Sequence, residues 1–160
     1  ALGMSHSYGE AFYKAQEAIQ SKLPLEGTVL ISVNDKDKPE AVEIARSFEA
    51  DGFKILATGR TYDRIVEAGI KAEKVKKLYE GHPNIQDMMI NGDIQLIINS
   101  PTDKDSVTED SYLRKTAIKT KVPYVTTVAA GKACAEGIHY VKTNPDSEVK
   151  SLQEYHSEIK

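Results

Sequence analysis

The chain has 160 residues, 40% of them hydrophobic and 28% charged, and a formal net charge of −3. That length suits one domain with a single core, and the mild acidity gives no support to nucleic acid or anionic lipid as the main partner. The one cysteine, Cys134, rules out an internal disulfide and any cysteine-based metal framework, and the apolar runs are far too short to cross a bilayer, so the expected location is the cytoplasm.

In chain order, residues 7–20 place Ala11, Phe12, Ala15, Ala18 and Ile19 at helical spacing, and KLPLEG then breaks the pattern. The opening ALGMSHSYGE has no methionine at its head and reads as a piece cut from a larger polypeptide. From Thr28 onward, short β-rich runs alternate with helical ones. The expected strands are TVLISV, FKILAT, VKKLY, QLIINS and YVTTV. The helices expected after them lie around residues 39–50, 62–68, 85–91, 110–119 and 131–141. SEVKSLQEYHSEIK reads as a terminal helix packing Leu152, Tyr155 and Ile159. Five β-α units in series predict an α/β fold of three layers, α/β/α, with a five-stranded parallel sheet. Cys134 lies in the small-residue helix AAGKACAEGI and reads as a buried, inert thiol.

Right-handed crossovers put all strand C-termini on one edge, where open α/β sheets bind ligands. In LATGRTYDRI the helix is expected to begin near Thr61. Its hydroxyl either caps free N–H groups or, with Thr58, donates to an anion favoured by the helix dipole. Arg60 faces that anion or water. Lys38 and Lys77 flank the same edge as clamp cations or as surface lysines, and Asn99 either reads a ligand or closes a turn before Pro101. Asp35 and Asp37 suggest the acidic magnesium pocket of response-regulator receivers, but the third strand lacks the aspartate such a domain phosphorylates. The four histidines have no spacing suited to a shared metal.

Taken together, GTVLISVNDKDK, ILATGRTYDRIVEAGI, KKLYEGHPNIQDMMINGDIQLIINS, TEDSYLRKTAIKTKVPYVTTVAAGKACAEGI and SLQEYHSEIK closely resemble the C-terminal domain of the carbamoyl-phosphate synthase large subunit. The resemblance implies a methylglyoxal-synthase-like allosteric domain over residues 27–160, with residues 1–26 as a helix and linker from the preceding synthetase domain. It implies no cofactor in this stretch, with ATP and Mg or Mn used by other domains of the parent enzyme. The implied partners are a UMP- or IMP-type nucleoside monophosphate, the remaining large-subunit domains and the glutamine amidotransferase small subunit. Carried over by position, the effector phosphate would meet Lys38, Thr58, Thr61 and Lys77, with Asn99 and Ser100 closing the site, Ser32 nearby and Arg60 as an extra cation. The positions matching an ornithine-type activator site are Asp110, Tyr124 and Thr126. Two departures stand out: glycine is moved to Gly59, ahead of Arg60, and Pro101 replaces a frequent threonine. The alternative is a free-standing enzyme of the methylglyoxal-synthase kind. Against it, the loop YEGHPNIQD puts Asp87 too late, inside a helix, to serve as the general base.

Overall fold

A computed structural model describes residues 2–18, 22–101, 106–144 and 152–159. Five parallel strands, β1 (Thr28–Ser32), β2 (Lys54–Ala57), β3 (Glu73–Lys74), β4 (Leu96–Asn99) and β5 (Tyr124–Val125), form one sheet in the order β3-β2-β1-β4-β5. Val29, Leu30, Ile31, Ile55, Leu56, Ala57, Leu96, Ile97 and Ile98 are all essentially fully buried. Continuous apolar strands of this kind are what a parallel sheet covered on both faces requires.

Helices supply that cover. In α2 (Lys38–Ala50), Ala41, Ile44, Ala45 and Phe48 recur at helical spacing and are buried, and α2 packs against α3 (Gly59–Glu67). On the other side α4 (Ile85–Ile90) packs against α5 (Ser106–Thr120). Ile85, Met89, Leu113 and Ala117 there share one apolar cluster with Leu30, Leu56 and Ile97. The start of α6 (Val128–Thr143) lies close to the sheet because Gly131 has no side chain; a Cβ there would sit 3.0 Å from Ile98.

The chain divides into two compact units, residues 26–132, which hold the sheet, and residues 1–25 with 133–160. In the second unit α1 (Tyr8–Ala18) meets α6 through a pair of glycines: a Cβ on Gly137 would stand 2.5 Å from the Gly9 carbonyl. That contact buries Glu10 and Tyr13, whereas the stripe expected from the sequence leaves Ala11, Phe12 and Ala15 only half-buried; Ile19 lies outside the described residues.

Three expectations are corrected. VKKLY is not the third strand: pairing is confined to Glu73 and Lys74, after which Val75 turns into the core and Leu78–Glu80 form a 3-10 turn. α3 begins at Gly59, so Thr61 lies within its first turn. The terminal helix α7 (Leu152–Ser157) ends before Ile159, which is 74% exposed; the side chains of Leu152 and Tyr155 are outside the description.

Ile97 in the middle of β4 is fully buried, so Ile97→Ala should lower unfolding stability by about 2–5 kcal/mol. A urea titration should show this as a lower midpoint at unchanged slope.

Candidate functional site

The registers bring Ser32 beside Asn99 at the C-terminal edge, and β1 and β4 are where the strand order reverses. Just past β1, the Asn34 side chain accepts from the Asp37 amide at 2.9 Å and starts a 3-10 turn, Asp35–Asp37, that runs into α2. The turn brings Lys38 back over the strand end. Its Nζ donates to the Val33 carbonyl at 3.1 Å and to Asp35 Oδ1 at 2.7 Å, and the residue is only 7% exposed.

The Thr61 hydroxyl donates to the same Val33 carbonyl and accepts from the Val33 amide, both at 3.2 Å. It therefore ties α3 to β1 and does not cap the helix. Thr58, at the N-cap position, makes no capping bond either; its hydroxyl donates to Ser32 Oγ at 2.6 Å. Ser32, having accepted that bond, keeps its own proton to give. Gly59 has φ of +45° with open space where a Cβ would go, so the backbone conformation rather than crowding asks for glycine.

Across the crevice, the Ser100 amide donates to the Ser32 carbonyl at 2.9 Å and Ser100 Oγ accepts from the Asn34 amide at 3.1 Å. The Pro101 backbone carbonyl accepts from Asn34 Nδ2 at 3.4 Å, which joins the two strand-end loops. Between these elements is a shallow open cleft lined by Ser32, Lys77, Asn99, Ser100 and Pro101, with Asp110 and Glu109 on its wall. Lys77 enters from the far side. Its backbone amide is held by Glu80 at 2.9 Å, and the next amide, of Leu78, donates to Glu109 Oε1 at 3.0 Å. Among the described residues, no ion pair occupies its ammonium group.

Asn99 is oriented by a half-buried triad: Nδ2 donates to Asp110 Oδ1 at 3.0 Å and to Tyr124 Oη at 2.6 Å, while the Tyr124 hydroxyl donates to Asp110 in turn. Arg114 closes the group, 3.1 Å from Asp110 Oδ2 and with its guanidinium 5.9 Å from the Tyr124 ring centroid. Burial, then the bond to Asp110, raises the Tyr124 phenol well above the ordinary tyrosine range. Thr126 follows β5, half-buried, and no hydrogen bond joins it to Asp110 or Tyr124 among the described residues.

The structure thus places the expected residues in two connected groups. Ser32, Lys77, Asn99 and Ser100 share the cleft, while Lys38, Thr58 and Thr61 are buried at the strand end behind Ser32. Arg60 is exposed and lies 3.6 Å from Asp35. Glu109 and Arg114 were not anticipated, because they act through tertiary contacts; Asn34 lies just past the first expected strand, on the edge where a ligand is expected, and is a residue type suited to capping. Asp87 accepts from the Asn84 amide and pairs with His82 at 2.7 Å, which holds the loop rather than the cleft. Cys134 is fully buried and its thiol is pushed up to about 12 by that burial, as expected of an inert cysteine. Among the described residues no group of three potential metal ligands occurs, and no helix is long and apolar enough to cross a membrane.

A five-stranded parallel sheet covered by helices on both sides, with a cleft at its switch point, is an open α/β architecture, a class that binds ligands at that point. The chain belongs to the MGS-like domain family, whose model matches residues 40–126 and so takes in Thr58, Thr61, Lys77, Asn99, Ser100 and Asp110. It is 40% identical over 99% of its length to the carbamoyl phosphate synthase large chain of Methanosarcina acetivorans, and 49% identical over 88% to the C-terminal section of that chain from Methanopyrus kandleri. It spans only 15% and 26% of the lengths of those two relatives. The crystal structure of methylglyoxal synthase from Elizabethkingia anophelis shares the fold, with a TM-score of 0.55 at 17% identity, covering 84% of this chain and 92% of that one.

Because the Tyr124 phenol is raised in the folded state, the unfolded chain releases this proton near the ordinary tyrosine value of about 10 and the folded chain does not. The associated stability is complete below pH 10 and drains away as pH climbs above it. Wild type should therefore lose stability above pH 10 more steeply than Tyr124→Phe. The phenolate absorbance of wild type minus Tyr124→Phe should stay flat while exposed tyrosines ionise.

Proposed function

We propose that this domain is the regulatory unit of a glutamine-dependent carbamoyl-phosphate synthase large chain and binds the phosphate of a UMP- or IMP-type effector. Under this reading, effector binding tunes carbamoyl phosphate synthesis for pyrimidine and arginine biosynthesis. The observation that carries it is the convergence in one cleft at the switch point of Ser32, Ser100, Asn99 and Lys77, whose ammonium has no ion-pair partner among the described residues. Hydroxyl and ammonium donors arriving from separate elements suit a phosphate, which offers acceptors in several directions. Residues 1–26 would then come from the preceding synthetase domain. ATP with Mg or Mn would act elsewhere in the parent enzyme, whose other large-chain domains and amidotransferase subunit are the expected partners. The triad of Asp110, Tyr124 and Asn99 supports an ornithine-type activator only at its Asp110 and Tyr124 corner.

The second reading, a methylglyoxal-synthase-like enzyme, gains one observation the sequence did not suggest: Glu109 and Asp110 bring carboxylates to the cleft. Both are already engaged. Glu109 holds the Leu78 amide through Oε1, and both oxygens of Asp110 are taken, Oδ1 by Asn99 and Tyr124 and Oδ2 by Arg114, so each carboxylate already serves a structural contact. Dihydroxyacetone phosphate incubated with the protein should yield no methylglyoxal; turnover would favour the enzyme.

A melting series against UMP and IMP tests the regulatory reading. At about 100 times the dissociation constant, ligand adds roughly 2.7 kcal/mol, a shift of several degrees at about 2–4 °C per kcal/mol. Lys77→Ala should remove most of that shift, and Lys115→Ala, on an exposed face of α5, should leave it intact. Equal losses in both variants, or no shift in the unmodified protein, would count against the site.

A further inference from the structure

The cations nearest the strand end are not free. Asp35 lies between them, 2.7 Å from Lys38 Nζ on one side and 3.6 Å from an Arg60 guanidinium nitrogen on the other. We propose that Asp35 is an internal counter-ion that occupies the place of a ligand phosphate, competes with it for Lys38 and Arg60, and holds down the affinity of the site. This rests on the phosphate-binding reading above.

The burial of the three groups is unequal. The Lys38 side chain is 8% exposed and fixed by the Val33 carbonyl, whereas Asp35 is 72% exposed at the head of its turn and Arg60 is 81% exposed. The buried cation belongs to the framework; the carboxylate is the partner able to swing into water when another anion arrives. An ammonium has three donors, and two of those on Lys38 are taken by Val33 and Asp35. Releasing Asp35 would leave a phosphate two of the three donors of this buried ammonium. The surroundings keep Asp35 charged: the hydrogen bond from Lys38, with the fields of Arg60 and Arg64, holds its carboxyl below the usual range. At the start of α3 the Thr58 hydroxyl is engaged with Ser32, so Arg60 is the group of that turn that meets Asp35. Lys77, by contrast, faces the cleft without a counter-ion among the described residues, so the device acts on one end of the site only.

Asp35→Asn keeps the shape and removes the charge. Calorimetric titration with UMP, IMP and inorganic phosphate should give wild-type binding and roughly twofold to fivefold tighter binding in Asp35→Asn, the scale of losing a competing pair whose carboxylate is exposed. The gain should shrink when Arg60→Gln is added, because one of the two contested cations is then gone; Arg60 is exposed enough for that change to leave the fold alone. Unliganded melting curves check that all variants are folded. Wild-type binding with equal or weaker binding by Asp35→Asn would overturn the counter-ion role while leaving the phosphate site standing. Absence of binding by either protein to all three probes would remove the site itself.

Discussion

Val33 is the first residue past β1, and it is 3% exposed. Its N–H and C=O have left the ladder but not the interior, so both need partners supplied by other elements. Thr61 supplies both at once and Lys38 adds a second donor to the carbonyl. This requirement fixes the local arrangement. It draws the start of α3 against β1 and brings the start of α2 back over the strand end. It also keeps an ammonium group where a parallel sheet presents ligands. Ser32, one residue earlier, is still in register with Asn99, and its carbonyl takes the Ser100 amide. The cleft follows from how one strand ends.

Elements with a strong period were legible because their apolar residues have only one place to go. TVLIS, KILA and LIIN are buried on both faces, and α2 carries its apolar stripe at regular spacing. VKKLY misled for a physical reason: its β-branched and aromatic ends flank two lysines, and an edge strand has a partner on one side only. Two paired residues therefore suffice, and the chain then leaves the sheet. The start of α3 was misjudged because Thr61 was given a helix cap to satisfy, whereas the nearby buried carbonyl of Val33 was the stronger demand. Cap preferences are local; a carbonyl that needs a donor from 28 residues away is not visible in a window of ten.

The residues of the expected site were mostly legible by identity and less so by role. Thr58 and Thr61 are buried supports whose hydroxyls are engaged by the protein, Lys38 is buried with two of its three donors taken, and the cleft itself is faced by Ser32, Lys77, Asn99 and Ser100. The sequence places a threonine near an expected anion; it does not say which way the hydroxyl turns. Glu109 was invisible for a related reason. It sits in an ordinary helical stretch, and only the tertiary contact to the Leu78 amide shows that it holds Lys77 in position.

The walls of the cleft differ in how firmly they are held, and that bears on how a ligand there would act at a distance. Ser32, Asn99 and Ser100 stand on the two central strands, whose residues are buried on both faces. Lys77 stands on a short turn beyond a two-residue edge strand, secured by Glu80 and by Glu109 on α5. Regions with few buried contacts open at lower free energy than the core. A phosphate bridging the two walls would take most of its effect on the edge turn, where ordering has the most freedom to remove. Under the proposed regulatory role, the influence passed on could not exceed the difference in affinity between the held and released arrangements, typically about 1–3 kcal/mol. Glu109 is then placed to carry it, because the same carboxylate that fixes the turn belongs to α5, a helix running alongside the Asn99, Asp110 and Tyr124 triad.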